Sequence, residues 1–212
     1  MITVYVGYNY PAFFNGLLRD LRALWALEEL GLPYRIYWLD AAKRDHKSEA
    51  YRQVHPFGKV PAIRDGQFAL FESGAIVNYL FEKSDRIPAD AQDRAVLAQW
   101  CFAAVDTVQP PMLEIFQWDV LWKDREGRDK RRAELREAAA ARLGELDAAL
   151  GLNRFLLGAE LTPADILMVT AIRFARSEGE LFAQAPRVRA YMERSEARPQ
   201  FQRALAAQGA GP

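Results

Sequence analysis

Residues 54–76 read VHPFGKVPAIRDGQFALFESGAI, and the organisation of the first half of the chain follows from this stretch. Two short extended runs, 62–64 and 68–71, stand on either side of Asp65-Gly66, a dipeptide that suits a tight turn with positive φ. Pro61 comes directly before the first run, and Ser73 comes directly after the second, where helical spacing begins. The stretch therefore predicts a β-hairpin followed at once by a helix.

The residues before this stretch alternate between strand and helix patterns. Apolar residues at positions 2, 4 and 6 predict a strand, and 34–39 predicts another. Between them, apolar residues from Leu17 to Leu30 recur every three or four positions, which predicts a helix that ends at Gly31 and Pro33. Ser48 suits the N-cap of a short helix. The order of elements predicts a mixed four-stranded sheet, because the crossovers favour parallel pairing and the hairpin adds an antiparallel pair.

Beyond residue 84 the apolar spacing is helical, and no segment predicts a strand. Residues 84–91, around Pro88, read as an exposed linker, so we expect one domain at 1–83 and another at 92–212. Helices are predicted at about 92–122, 128–150, 163–177 and 186–207, with a break near Pro199 and a kink or break at Pro110-Pro111. Thr162-Pro163 with Asp165 reads as a helix start whose role is stability.

The composition is that of an ordinary globular protein without a charge bias. Lys plus Arg and Asp plus Glu both number 28, so no net field attracts nucleic acid or anionic lipid. The run Lys130-Arg131-Arg132 is interleaved with Asp129 and Glu134 and predicts a solvated helix face. We therefore expect neither a nucleic-acid partner nor a membrane partner.

Cys101 is the only cysteine, which excludes a disulfide within the chain and any Cys-x-x-Cys redox or zinc site. We expect this residue in the core, and we expect no metal. The first residues lack the features of a signal peptide, and no apolar run reaches the roughly 18 residues that a membrane-spanning helix needs. The expected location is the cytoplasm.

Two dipeptides carry residue types suited to ligand binding. Val60-Pro61 precedes an extended run and is a candidate cis peptide, although trans is the commoner state of such bonds. A cis bond would turn the backbone groups of Val60 toward an extended peptide ligand. Glu72-Ser73 lies where a strand meets a helix start, whose free amides favour an anion. Ser73 can donate to a carboxylate and Glu72 can accept from an ammonium group, which together suit the α-amino acid end of a ligand. Ser73 also suits a plain helix cap.

His46 and Lys59 form a third feature. Both can pair with a carboxylate at the other end of a peptide ligand, and both also suit a solvated surface. The residues alone leave these two interpretations open.

Four segments resemble the soluble glutathione transferases: WALEELGLPY at 25–34, VHPFGKVPA at 54–62, LFESGAI at 70–76 and LTPADI at 161–166. They fall in the family's order and span nearly the whole chain. The chain is identified as a member of this family, of bacterial type and with its class open.

The resemblance implies a thioredoxin-like N-terminal domain, an all-α C-terminal domain and a cytoplasmic homodimer with glutathione as co-substrate. It also implies which residues bind glutathione. Val60 and cis-Pro61 would bind the cysteinyl backbone of glutathione. Glu72 and Ser73 would bind its γ-glutamyl end, and His46 and Lys59 would bind its glycyl carboxylate.

The family's Tyr, Ser or Cys near the start of the first helix has no counterpart here. Its position falls on Leu17-Leu18, and neither leucine can donate a hydrogen bond. The candidate donors to the glutathione sulfur are Asn15, expected at the helix start where it also suits an N-cap, and Tyr8 and Tyr10, which follow the first strand. Arg19, expected one turn into the helix, adds positive potential or forms an exposed salt bridge.

Large apolar residues on the long helix after the linker are the candidates for a second-substrate pocket between the domains. We name Phe102, Met112 and Phe116, and we expect part of this apolar set to be core instead. They indicate an apolar electrophile.

The function expected from these features is that of a detoxifying glutathione transferase, which activates the thiol for conjugation to an apolar electrophile or for peroxide reduction. The alternative is a non-catalytic, transferase-like binding or interaction protein, and the missing Ser or Cys favours it. A disulfide-exchanging oxidoreductase would need a cysteine at the first helix, where the chain has none.

Overall fold

The structure, a computed structural model, describes all residues from Met1 to Pro212. The chain forms two compact units. Unit 1 comprises Met1–Ile87 together with Ala197–Pro212, and unit 2 comprises Pro88–Glu196. The first boundary falls inside the predicted linker, but the division differs from the predicted domains at the C-terminus, where residues 197–212 belong with the first half of the chain.

Unit 1 is built on a four-stranded mixed sheet with the strand order β2-β1-β3-β4. Strands β1 and β2 pair in parallel, whereas β1 with β3 and β3 with β4 pair antiparallel, which confirms the predicted sheet and its hairpin. In chain order the elements are β1 (Ile2–Tyr8), α1 (Asp20–Leu30), β2 (Tyr34–Asp40), α2 (Glu49–Arg52), β3 (Ala62–Asp65), β4 (Phe68–Phe71) and α3 (Ser73–Lys83).

The ends of the helices in unit 1 follow from local sequence. Gly31 ends α1 with φ 62°, a left-handed conformation that favours glycine. The Ser48 hydroxyl accepts a hydrogen bond from the Tyr51 amide at 3.2 Å, so the predicted cap of α2 is confirmed. All residues of α1 from Asp20 to Leu27 are buried, including the predicted apolar residues Leu24, Trp25 and Leu27, so this helix is buried on all sides and not only along its apolar face.

The last helix, α10 (Pro199–Gly209), completes the core of unit 1. Phe201 is fully buried and meets Trp25 of α1 edge-on, with the ring centroids 4.9 Å apart. Arg203 pairs with Glu28 at 2.7 Å, and Arg198 pairs with Glu29. Because its apolar face packs on α1, the C-terminal helix belongs to unit 1.

Unit 2 is helical, and the all-α prediction for this part of the chain is confirmed. Its α-helices are α4 (Ala91–Phe102), α5 (Gln109–Phe116), α6 (Arg128–Leu150), α7 (Pro163–Ile172), α8 (Gly179–Ala183) and α9 (Pro186–Glu196). None of the helices in the chain combines the length and the apolar character that crossing a bilayer requires.

The helical run from 91 to 121 passes through Pro110-Pro111, where a kink or break was expected. It does so by changing its hydrogen-bond pattern: π-helical segments occupy Ala103–Val108 and Gln117–Leu121. The prolines stand at the start of α5, directly after the first π segment, where a missing amide hydrogen is tolerated.

The helix start at Thr162 has the structural role that its sequence indicates. The Asp165 carboxylate is fully buried and accepts hydrogen bonds from the Thr162 and Leu156 amides, both at 2.8 Å, and from the Tyr191 hydroxyl at 2.9 Å. These bonds join three segments of unit 2. The basic run on α6 is ion-paired, with Arg131 2.8 Å from Glu114, and this agrees with a solvated helix face.

Candidate functional site

A cavity of about 330 Å³ opens on unit 1 around the junction of β4 and α3. It gathers five of the six predicted glutathione-binding residues, and the sixth, His46, does not line it. The lining residues are Arg19, His55, Phe57, Lys59, Val60, Pro61, Glu72 and Ser73.

Glu72 and Ser73 form one wall of the cavity. Glu72 is the N-cap of α3 and has φ 69°, a positive value that a non-glycine residue adopts only where its surroundings fix it. Ser73 is buried at the first position of α3, and its side-chain oxygen accepts a hydrogen bond from Arg22 Nη1 at 3.1 Å. This wall therefore presents a carboxylate beside a hydroxyl and a helix N-terminus.

Arg22 is a functional candidate that the sequence reasoning missed. It is 2% exposed, and burial lowers its pKa to about 9, with a further lowering by the charge of Arg19. At neutral pH it therefore remains a cation, behind the hydroxyl of Ser73. The available signal was an arginine within the apolar face of α1, next to Leu21.

The segment 57–61 forms another part of the lining, through Phe57, Lys59, Val60 and Pro61. The Val60–Pro61 peptide bond is cis, as the family resemblance implies. The Lys59 carbonyl accepts a hydrogen bond from the Tyr51 hydroxyl at 2.6 Å. Lys47 Nζ donates to the carbonyls of residues 57 and 58 at 3.1 Å and 2.7 Å. These bonds fix the backbone that leads into the cis peptide.

The two histidines occupy different positions. The His46 carbonyl oxygen lies against Gly58, the residue before Lys59. Burial chiefly lowers the pKa of the His46 imidazole, and the charges of Lys47 and Lys59 lower it further. His55, for which the sequence suggested no role, is 3% exposed and lines the cavity. Its ring lies 4.9 Å from that of Phe71, its Nδ1 has no hydrogen-bond partner, and burial lowers its pKa. Both imidazoles are therefore neutral at pH 7.

The three predicted sulfur donors, Asn15, Tyr8 and Tyr10, line a second cavity of about 210 Å³ in unit 1. It lies among residues 7–18 and the end of α10 and shares no lining residue with the first cavity. The Tyr8 hydroxyl donates to Asp40 at 3.2 Å, so its proton is already engaged. The structure does not bring these three residues to the cavity that holds the predicted glutathione contacts.

Asn15 also differs from expectation in its local structure. It follows the 3₁₀ turn Ala12–Phe14, and α1 begins only at Asp20, so Asn15 is not the N-cap. The N-cap is Arg19, which the sequence placed one turn into the helix. Arg19 is exposed, forms no salt bridge and lines the first cavity.

The predicted second-substrate residues lie in unit 2 with unequal exposure. Phe102 is 70% exposed at the end of α4. Met112 is fully buried, and Phe116 is 8% exposed and packs against Phe174 with the ring centroids 5.9 Å apart. Met112 is therefore a core residue with no exposed surface for a ligand to contact. Phe116 is also mainly a core residue, with little exposed surface. Cys101 is 5% exposed, which confirms its predicted place in the core.

Comparison with known proteins matches both parts of the chain to one family. The model described as the glutathione S-transferase N-terminal domain matches residues 21–83, and the one described as the C-terminal domain matches 104–199. A glutathione S-transferase 3 of Zea mays is 31% identical over 198 residues, covering 88% of each chain. The chain belongs to the glutathione S-transferase family. Its fold is accordingly a thioredoxin-like domain with a helical domain, and its function is that of a glutathione transferase.

Other glutathione transferases show the same likeness. The theta-1 enzyme of Rattus norvegicus is 30% identical over 179 residues, covering 78% of this chain and 73% of the relative. A solved glutathione transferase family member from Pseudomonas fluorescens, with two glutathione bound, superposes with a TM-score of 0.85 at 27% identity, covering 96% of this chain and 92% of that one. The N-terminal family match begins at residue 21. The segment with all the predicted sulfur donors therefore lies outside it.

Proposed function

We propose that this glutathione transferase binds glutathione in the 330 Å³ cavity of unit 1 and activates its thiol for attack on an apolar electrophile or for reduction of a peroxide. The observation that carries the proposal is the meeting of Glu72-Ser73 with Val60-Pro61 around one opening.

The charges around the cavity suit the two ends of glutathione. The γ-glutamyl end carries an ammonium and a carboxylate, and the wall at α3 offers Glu72 to the first and Ser73 with the helix N-terminus to the second. The buried cation of Arg22 adds to the attraction for the carboxylate. Lys59 lines the cavity too and suits the glycyl carboxylate, with His46 close to it.

The chemistry requires a thiolate. A free thiol has a pKa near 8.5, so only a few per cent is ionised at about pH 7, and a bound thiol must be shifted to react well. In conjugation the sulfur lone pair forms a bond to the electrophilic carbon, and the leaving group departs with its electron pair. The apolar character of the electrophile is supported in unit 2 by Phe102, which is exposed at the end of α4.

A non-catalytic binding protein is the second candidate, and one observation favours it. At the position where the family has a side chain that donates to the glutathione sulfur, this chain has leucine, and Leu17 is buried. Such a protein would bind glutathione without turnover, or would not bind it.

Steady-state kinetics against aryl halides, epoxides, isothiocyanates and hydroperoxides separates the two candidates. We expect turnover of at least one class, with a KM for glutathione that rises about tenfold or more in Glu72→Gln while kcat changes little, since one charged contact is lost from ground state and transition state alike. Glu82→Gln is the matched control, because it removes the same charge near the other end of α3. Glutathione binding without turnover of any class would favour the non-catalytic candidate.

Four further properties are proposed from the likeness to known glutathione transferases: a homodimer, a cytoplasmic location, a role in detoxification and a bacterial origin. The bacterial origin is supported by the likeness to the Pseudomonas fluorescens structure. Sedimentation velocity tests the dimer, and a sedimenting species with the mass of one 24.1 kDa chain would contradict it.

A further inference from the structure

Arg19 brings an unneutralised positive charge to the proposed glutathione cavity. Its side chain is exposed and lines the opening, and no hydrogen bond or ion pair engages its guanidinium. Arg19 interacts electrostatically with a second cation, Arg22, and lowers the pKa of that residue. Two like charges at one helix start repel each other, and Glu72 offsets part of this repulsion at Arg22. The lining itself carries two cations, Arg19 and Lys59, against the one carboxylate of Glu72, so it favours an anionic ligand.

The other polar residues of the lining already have places along glutathione. Glu72 and Ser73 suit the γ-glutamyl end, and Lys59 suits the glycyl end. His55 is neutral because burial lowers its pKa, so it is not a source of positive charge. Arg19 is the remaining cation, and it comes from the start of α1.

The start of α1 is also where the family places its donor to the sulfur. In this chain the donor position holds Leu17-Leu18, and Leu17 is buried. The other candidate donors of the same segment line the second cavity. Arg19 is the first residue after the two leucines, and its five N–H groups can reach an anion that a leucine cannot stabilise.

We propose that Arg19 is the catalytic cation that stabilises the thiolate of bound glutathione, in the place of the family's hydroxyl or thiol side chain. This inference rests on the proposed function of the cavity.

The step balances without any group that the chain lacks. The thiol proton leaves to water through the open cavity, and Arg19 stays protonated throughout, acting by charge and hydrogen bonding and not as a base. With an aryl halide, the sulfur lone pair forms the carbon–sulfur bond, the carbon–halogen bond breaks, and the halide leaves with the electron pair. A cation within about 4–6 Å of an acidic group lowers its pKa by about 1–3 units. Starting from a thiol pKa near 8.5, a shift of about 2 units would make most of the bound glutathione a thiolate at about pH 7.

Ultraviolet titration of the bound thiolate tests this directly. In the wild type we expect glutathione to ionise below its solution pKa, and in Arg19→Gln we expect the pKa of the bound thiol to rise by about 1 unit or more. The pH–rate profile should move upward by the same amount. Arg19→Lys keeps the charge and should recover part of the shift. Arg86→Gln is the matched control, because it removes an exposed arginine beyond the far end of α3 from the cavity.

S-methylglutathione has no thiol proton, so it separates this inference from the proposed function. Arg19→Gln should bind it within a few-fold of the wild type. If the wild type binds neither glutathione nor S-methylglutathione, the proposed function fails. If both bind and Arg19→Gln leaves the thiol pKa and the pH–rate profile unchanged, the role of Arg19 is refuted while the proposed function stands.

Discussion

The substitution Arg22→Met tests whether a buried cation behind α3 contributes to glutathione binding. Arg22 is 2% exposed and donates to the Ser73 side chain at 3.1 Å. Methionine fills a similar apolar volume, and removing the charge also removes the cost of keeping a buried cation away from water. We therefore expect the variant to stay folded.

The expected loss is in affinity. The Ser73 hydroxyl separates the Arg22 cation from the expected ligand carboxylate, and two opposite unit charges on the order of 6 Å apart attract by about 2–3 kcal/mol at an effective dielectric constant of about 20. This corresponds to a roughly 30- to 150-fold weaker Kd for glutathione in Arg22→Met. Arg22→Lys keeps the charge and should lose less. Calorimetric titration measures the affinity, and thermal unfolding shows that the variant is folded.

Arg35→Met is the matched control for this prediction. Arg35 also donates to a hydroxyl, that of Thr3 at 2.9 Å, but it lies on β2, at the edge of the sheet. Its replacement should leave the Kd for glutathione unchanged. A folded Arg22→Met with the wild-type Kd would refute the role of this charge.

Three further predictions concern unit 1. Phe201→Ala should lower the free energy of unfolding by about 3–5 kcal/mol in urea denaturation, because the ring is fully buried. The control Phe102→Ala, at a 70% exposed site, should change this free energy by less than about 0.5 kcal/mol. Equal effects of the two substitutions would contradict the packing of α10. Burial chiefly raises the pKa of Asp20 to about 6, so the folded chain binds this proton more tightly than the unfolded chain. The stability that this proton contributes is present below about pH 4 and is lost as the pH rises through about 6. Relative to Asp20→Asn, the wild type should therefore lose free energy of unfolding between about pH 4 and 7. Parallel pH profiles of the two proteins would argue against a raised pKa. Gly7→Ala should destabilise the chain by about 1–3 kcal/mol and shift the Tyr10 ring, because the added methyl would lie 2.5 Å from a ring carbon of Tyr10; unchanged thermal unfolding and near-ultraviolet circular dichroism would disprove that contact.

The fold of unit 1 could be predicted because its signals are local. Period-two and period-3.6 spacing marks strands and helices, and Asp65-Gly66 marks the hairpin. The cavity lining around Val60-Pro61 and Glu72-Ser73 was found for the same reason, since both dipeptides belong to one continuous stretch, 54–76.

The segment before α1 could not be predicted, because a distant residue fixes it. The Gln208 side chain accepts from the Gly16 amide at 3.0 Å and donates to the Leu18 carbonyl at 3.2 Å and to the Asp20 carboxylate. Asp20 in turn accepts from the Gly7 amide at 3.0 Å. No pattern within residues 7–20 indicates these hydrogen bonds to Gln208 of α10. The sequence therefore predicted neither the start of α1 at Asp20 nor the position of Asn15 outside that helix start.

The assignment of the C-terminal helix failed for a related reason. Helical periodicity shows which face of a helix is apolar, but it does not show which core that face meets. Residues 199–209 have the same period as the helices of unit 2, and they pack on α1 through Phe201. Arg22 was overlooked because its contact with Ser73 spans 51 positions of the sequence.

Calorimetric titration of the wild type and of Ser73→Ala with glutathione tests the central claim most directly. The account predicts binding in the micromolar to millimolar range by the wild type and a Kd at least about tenfold weaker in the folded variant, because the variant loses the hydroxyl at the start of α3. No binding by the wild type, or an equal Kd for both proteins, would contradict the placement of glutathione in this cavity.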